Sequence, residues 1–330
     1  MTAVLPTSVD RARLLADPAL RAAIARLHPT LAQVAAYHRG WVDADGAPAG
    51  PATGKALRPA LALLGADAAR VPASTALPAA VSVELVHDFS LLHDDLMDGD
   101  TERRHRPTAW TVFGMPAALL AGDGLLALAY RLLEESSAPG SAVAQGILAA
   151  CVDRLVGGQA DDLDFEHRLD VSYDDYLAMS AGKTGALLGA ACCLGAALGG
   201  ARAEQVAALA QYGEELGLAF QLVDDLLGIW GDPDVTGKPV LSDLRSRKKS
   251  APIVLAAASS PRLRDYLRGE DADLSALAAE IETVGARGRV QDEVDAHVRR
   301  ATAALGAADF DRRAVDELVR TADYVTGRDS

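Results

Sequence analysis

Two acidic runs carry the residues best suited to chemistry: His93–Asp98, HDDLMD, and Phe220–Asp232, FQLVDDLLGIWGD. In the first, Asp94 and Asp98 are four residues apart, so on a helix both carboxylates project from one face. Such a pair suits Mg²⁺, which takes oxygen ligands and keeps positions for water and phosphate oxygens. The spacing alone is a weak signal, because 46 of the 330 residues are acidic, and pairs such as Asp161–Asp162 and Asp174–Asp175 are common. The second run says more. Asp224 and Asp225 sit inside an apolar stretch of helical spacing, beside Gln221, where carboxylates are costly unless a cation compensates them. Two such pairs, 130 residues apart, can face each other across a helical core and clamp one metal cluster.

The cations are distributed to match. Lys55 and Arg58 lie in TGKALRP, Arg103, Arg104 and Arg106 in TERRHRP, Lys183 in AGKTGAL and Lys238 in TGKPVLSDL, with Arg245, Arg247, Lys248 and Lys249 just after. Several adjoin Gly or Pro at the ends of helical runs, where backbone N–H groups also reach anions. Neither a Gly-rich phosphate loop nor a nucleophile–base pair accompanies them. The combination points to diphosphate binding and to ionisation of a substrate, not to attack by the protein.

Positioning these groups falls to helices. Helix formers dominate, and apolar residues recur at helical spacing over Ser82–Met97, Met115–Leu133 and Ala203–Trp230. Ser74 or Thr75 is a candidate cap, as is Ser172 before the Tyr173–Met179 run. The expected fold is all-α: one domain over residues 1–330, a bundle of about ten or more helices around a central cavity, with the motifs in a core of about 50–255. The first thirty or so residues, and those after about Ser260, are expected to be peripheral. Half of the residues are hydrophobic and only 5% aromatic, so the core is aliphatic. A net charge of −14 speaks against a broad nucleic-acid-binding surface. Cys151, Cys192 and Cys193 read as small buried hydrophobes in a reducing compartment. The N-terminus shows no basic start followed by an apolar run, and the longest apolar stretch, Ala186–Gly200, is shorter than the ~18 residues of a membrane span. A cytoplasmic chain without stable membrane insertion is expected.

Taken together and in order, the motifs from about Lys55 to Pro252 resemble those of the trans-isoprenyl diphosphate synthases, the polyprenyl synthetase family, and most of all its bacterial geranylgeranyl diphosphate synthases. The resemblance implies that Lys55, Arg58, His87 of VELVHDFS and Arg104 hold isopentenyl diphosphate. It implies Mg²⁺ ligands at Asp94 and Asp98 and, in the second aspartate-rich motif, at Asp224 and Asp225, with three ions per site. Arg103, Lys183, Thr184, Gln221, Lys238 and Lys248 are implied contacts of the allylic diphosphate or of the cation that forms from it; among these Lys183, Gln221 and Lys238 belong to the catalytic set with Asp94, Asp98 and Asp224. GGQADDLDFE, Gly157–Glu166, resembles the family's GQxxDL segment. The implied reaction joins isopentenyl diphosphate head-to-tail to an allylic diphosphate, in a homodimer.

Three positions depart from the pattern. Gly228 stands where the second motif has its last Asp, and the missing carboxylate is expected to loosen one metal; Gly228→Asp would then lower the Mg²⁺ requirement. His105 stands where Gly is common, and Thr53 replaces the first Gly of GGK. The resemblance also implies a C20 product: bulky Phe89, five residues before Asp94, would floor the cavity, and with small Ser90 four residues before and no two-residue insertion in the first motif the combination resembles synthases that stop at C20. The alternatives are a farnesyl or longer-chain synthase, or a terpene cyclase on the same fold, which has no need of the isopentenyl-diphosphate residues. A non-catalytic partner subunit would need more lost ligands than Gly228 alone. An HD-type metal phosphohydrolase is disfavoured because His87–Asp88 and His93–Asp94 fall on one helix.

Overall fold

The computed structural model describes residues 7–49, 56–232 and 240–327. Sixteen α-helices and one two-stranded hairpin make up these residues. The helices that matter for the site are α1 (Thr7–Ile24), α2 (Pro29–His38), α3 (Leu57–Ala68), α4 (Ala73–Met97), α5 (Ala109–Phe113), α6 (Met115–Glu135), α7 (Ser141–His167), α8 (Tyr173–Ser180), α9 (Ala186–Leu198) and α10 (Ala203–Trp230). The all-α expectation is met.

Helix α9 is the centre. Its sequence, ALLGAACCLGAAL, is apolar on every side, and every residue of it is buried. Small side chains let α3, α4, α7 and α10 close around it. All three cysteines are buried and unpaired. Helix α4 is also apolar nearly all round, packing on α3, α6 and α9. It starts earlier than the periodicity alone marks, at Ala73, with Pro72 at its N-cap and no side-chain cap from Ser74 or Thr75. Ser172 does cap α8: its Oγ accepts the Asp175 N–H at 3.1 Å while the Asp175 carboxylate accepts the Ser172 N–H at 3.0 Å.

The C-terminal helices are not peripheral. The helix Ala286–Ala304 lies along α10 and buries Val290 and Val294 in a second core with Leu222, Leu226 and Ile253. The helix Arg312–Thr326 packs on α3, and Tyr212 Oη of α10 donates to the Leu318 carbonyl at 2.7 Å. Leu318, Ala322 and Val325 of this helix are wholly buried.

Ala73–Met97, Met115–Glu135 and the continuous stretch Tyr173–Leu198 are long and apolar enough to cross a membrane by length and composition. That corrects the estimate from Ala186–Gly200 alone, because the helix continues backward through a π-helical turn, Ala181–Gly185. The first and third are largely covered by other helices, whereas α6 leaves Met115, Leu119 and Leu120 exposed.

Candidate active site

Helix α4 carries the first acidic run at its C-terminal end. Asp94 is half-buried and Asp98 exposed on the same face. Burial pushes the Asp94 carboxyl up to about 6, against the pull of Lys183, and Asp98 adds to the rise. Asp98 is raised by burial as well, again eased by Lys183. Asp95 points the other way: it is 1% exposed, and Arg103 binds its Oδ1 at 2.6 Å. Arg103, expected at the allylic diphosphate, is therefore tied to α4 here.

Lys183 comes from the π turn between α8 and α9. That turn presses on α7 at Gly158, where a Cβ would lie 2.8 Å from the Met179 carbonyl oxygen, so only glycine permits the approach. The packing brings Lys183 Nζ to 2.5 Å from Asp162 Oδ2. Asp162 belongs to the GQxxDL segment and links the two acidic helices. It raises Asp94 and Asp98 from one side, and its charge reaches Lys248 on the other.

Helix α10 splits its acidic pair. Asp224 is exposed and its charge reaches Lys248, whereas Asp225 is 2% exposed and fully engaged. Gln221 Nε2 donates to Asp225 Oδ1 at 2.9 Å, and the Ala251 N–H, in the first turn of the helix Ala251–Ala257, donates to Oδ2 at 2.8 Å. Thr184 Oγ1 donates to Gln221 Oε1 at 2.8 Å, so one chain of bonds joins the π turn, α10 and the next helix. Asp225, expected among the metal ligands, thus sits in a supporting position. Burial pushes its carboxyl up to about 6, eased by Lys248. The Lys248 ammonium feels Asp225, Asp243, Asp162 and Asp224, which together raise its pKa against the desolvation that would lower it.

A second, cationic pocket lies beside this cluster. Arg58 begins α3, His87 lies mid-α4, and Arg104 forms the tip of a hairpin of Glu102–Arg103 and Arg106–Pro107. Arg104 and His105 both have positive φ, 53° and 60°, the two left-handed residues of a tight hairpin turn; that backbone explains why Gly suits position 105. The hairpin is locked to α2 by Arg106, which donates to the Val42 carbonyl at 2.9 Å and lies over the Tyr37 ring. Burial, then Arg58 and Arg104, hold His87 well below its ordinary pKa. His38 is pushed down to about 3 by burial and by Arg103 and Arg104. Burial also lowers Arg58 and Arg104. Neither has a carboxylate within ion-pair distance among the described residues. The pocket is built to receive an anion.

Sequence reasoning missed what supports it. Arg39, the residue after α2, is buried between Glu84 at 3.1 Å and Asp88. Burial opposes the charges of Arg39 and Asp88. It is outweighed for Arg39, which faces two carboxylates, but not for Asp88, which shares one guanidinium with Glu84 and is pushed up to about 6. Glu84 and Asp88 are an i,i+4 acidic pair in an apolar run, the same signal that singled out Asp224–Asp225. Lys55, Thr53 and Lys238 lie outside the described residues.

A helical bundle whose acidic runs on α4 and α10 are linked electrostatically through Asp162, Lys183 and Lys248, with a cationic group of Arg58, His87 and Arg104, is of the isoprenoid synthase type. The profile of the polyprenyl synthetase family matches residues 49–284. The chain is 45% identical over 325 residues to a (2E,6E)-farnesyl diphosphate synthase of Mycobacterium tuberculosis, covering 95% of this chain and 90% of that one. It is 47% identical over 250 residues to a geranylgeranyl diphosphate synthase of the same organism, covering 75% and 71%. A polyprenyl synthetase from Streptomyces coelicolor A3(2) superposes with a TM-score of 0.93 at 47% identity, covering 97% and 98%. The chain belongs to the polyprenyl synthetase family and is a prenyltransferase of the chain-elongating kind.

Proposed function

We propose that this chain is a Mg²⁺-dependent synthase that adds isopentenyl diphosphate to an allylic diphosphate and releases a C20 product. The observation that carries the elongation reading is the pair of adjoining sites: carboxylates with Lys183 on one side, and Arg58, His87 and Arg104 on the other. A cyclase needs only the first.

The donor chemistry fits Mg²⁺. Asp94, Asp98 and Asp224 offer hard carboxylate oxygens, and burial raises Asp94 and Asp98 with Lys183 offsetting it only in part. No three acidic, His or Cys side chains converge into a ready-made cage among the described residues. A cation held by one or two carboxylates plus substrate phosphates needs no such cage. When bound, Mg²⁺ supplies Lewis-acid stabilisation of the diphosphate leaving group.

The chain's own residues do the rest. Lys183 and Arg103, with Lys238, bind the allylic diphosphate as charge builds on it, exchanging Asp162 and Asp95 for phosphate oxygens. Thr184 and Gln221 orient the allylic end, and Lys248 adds positive charge at the α10 side. Arg58, His87 and Arg104, with Lys55, hold isopentenyl diphosphate so that its double bond faces the carbon left by the departing diphosphate. The carbon–oxygen bond breaks with its electron pair going to diphosphate, the new carbon–carbon bond forms, and the proton lost from the isopentenyl unit passes to the released diphosphate. Apolar helix faces exclude water, which would quench the cation. The test is diphosphate release from geranyl diphosphate: it should require isopentenyl diphosphate, and equal release without it would favour a cyclase.

The relatives carry both C15 and C20 names, so the chain-length assignment rests on α4. Ser90 is four residues before Asp94 and therefore on the same helical row, about 6 Å deeper. Phe89 lies on the row of His93, packed edge-on to that ring with centroids 4.7 Å apart. His93 Nε2 in turn lies 3.1 Å from the Leu119 carbonyl of α6. Ser90 is thus the first floor a growing tail meets, and Phe89 a wall beside it. Ser90→Phe should shorten the main product to C15, and Phe89→Ala should admit products beyond C20. Unchanged product lengths in both active variants would place the floor elsewhere.

The chain works as one domain and in the cytoplasm, in keeping with its three unpaired thiols. It pairs with a second copy through α6, whose Met115, Leu119 and Leu120 are 53%, 45% and 54% exposed. Light scattering should give twice the chain mass, and Leu119→Glu with Leu120→Glu should reduce it to one; a mass unchanged by the double substitution would exclude this face.

A further inference from the structure

The glycine that interrupts the second acidic run is not an empty place. Gly228 follows Asp224 by four residues and shares its helical face. A Cβ built on it would lie 2.5 Å from both Cγ and Oδ1 of Asp243. The Asp243 carboxylate therefore occupies the space that a side chain at 228 would take. Asp243 belongs to a short helix, Ser242–Arg245, and is 7% exposed.

That helix is fastened to α10 at this point. Ser242 Oγ donates to the Gly228 carbonyl at 3.0 Å, and the Leu241 N–H donates to the Ile229 carbonyl at 3.3 Å. From the other side Tyr266 Oη donates to the Leu244 carbonyl at 2.6 Å. Asp243 also anchors the site's cation, since its carbonyl accepts the Lys248 N–H at 2.9 Å and its charge acts on the Lys248 ammonium.

We propose that Asp243 supplies the carboxylate that position 228 lacks, acting with Asp224 on the divalent cation of the second cluster, and that residue 228 is glycine because this carboxylate fills its place. The inference rests on the metal reading of Asp224 given above. It reverses the expectation drawn from the sequence: Gly228→Asp has no room for its new side chain and should not improve Mg²⁺ binding.

The test is the melting temperature of the full chain as a function of Mg²⁺ with inorganic diphosphate present, which reads metal binding without turnover. Wild type should show a Mg²⁺-dependent rise; its absence would overturn the metal reading and this inference with it. Asp243→Asn should raise the Mg²⁺ midpoint by about 10-fold or more, the scale typical of groups that support a metal site. Gly228→Asp alone should melt lower than wild type, with no gain in midpoint. The exchange variant, Gly228→Asp with Asp243→Gly, should bring the midpoint back toward wild type, and it decides the matter even if Asp243→Asn does not fold. A wild-type midpoint in Asp243→Asn, or an exchange variant whose midpoint stays about 10-fold or more above wild type, would overturn the role of Asp243 while leaving Asp224 as a ligand.

Discussion

Asp94→Ala and Asp224→Ala should each lower turnover by at least about 10²–10³-fold, the scale on which removal of one charge-stabilising group at a reacting centre acts. Both side chains matter chiefly when the leaving group departs, so kcat should fall along with kcat/KM. The fold should survive. Asp224 is exposed, and Asp94 is half-buried with its carboxyl pushed up to about 6, so replacing it removes a poorly hydrated charge. Asp225→Ala should behave differently. Both of its oxygens are bonded, and its loss leaves the Ala251 N–H and the Gln221 amide without their partner, so stability should fall as well as rate. Steady-state rates at saturating Mg²⁺, with melting curves of the same preparations, separate the cases. Near-normal turnover of purified Asp94→Ala or Asp224→Ala would remove that residue from the metal site.

Arg39→Met should destabilise the chain by about 3–5 kcal/mol, because it leaves Glu84 and Asp88 buried without their counter-ion. Replacing all three charges, with Glu84→Gln and Asp88→Asn added, should recover most of that loss, since a buried network removed as a whole is often nearly neutral. Denaturant unfolding measures both. A loss below about 1 kcal/mol for Arg39→Met would put the network among surface-like ion pairs. Its position suggests a second effect. Arg39 helps set the field around His87 and Arg104, so the single variant should raise the KM for isopentenyl diphosphate more than that for the allylic substrate.

What the sequence made legible were features written in local spacing. Asp94 and Asp98 at i,i+4, the apolar run around Asp224 and the cap at Ser172 each follow from one stretch of chain, and α4, α10 and α8 bear them out. Adjacent helical residues point about 100° apart, which separates Asp224 from Asp225, yet the motif placed both among the metal ligands. What stayed hidden depends on contacts between distant segments. Nothing near Gly228 in the chain announces that Asp243 returns to fill its place, and nothing near Arg39 announces Glu84 and Asp88. The motif assigns Arg103 to substrate, yet its guanidinium is bound to Asp95, eight residues back and buried. The residues after about Ser260 read as peripheral in the sequence, yet their apolar side chains complete the packing of α3 and α10, again a contact between distant segments.

The central claim is chain elongation by isopentenyl units, and product analysis tests it most directly. Purified protein is incubated with Mg²⁺, labelled isopentenyl diphosphate and C5, C10 or C15 allylic diphosphates, and the labelled products are sized by chromatography. Label should enter prenyl diphosphates that lengthen in C5 steps and accumulate at C20, with incorporation abolished by a chelator. Absence of label from every product while an allylic diphosphate alone is consumed would contradict it.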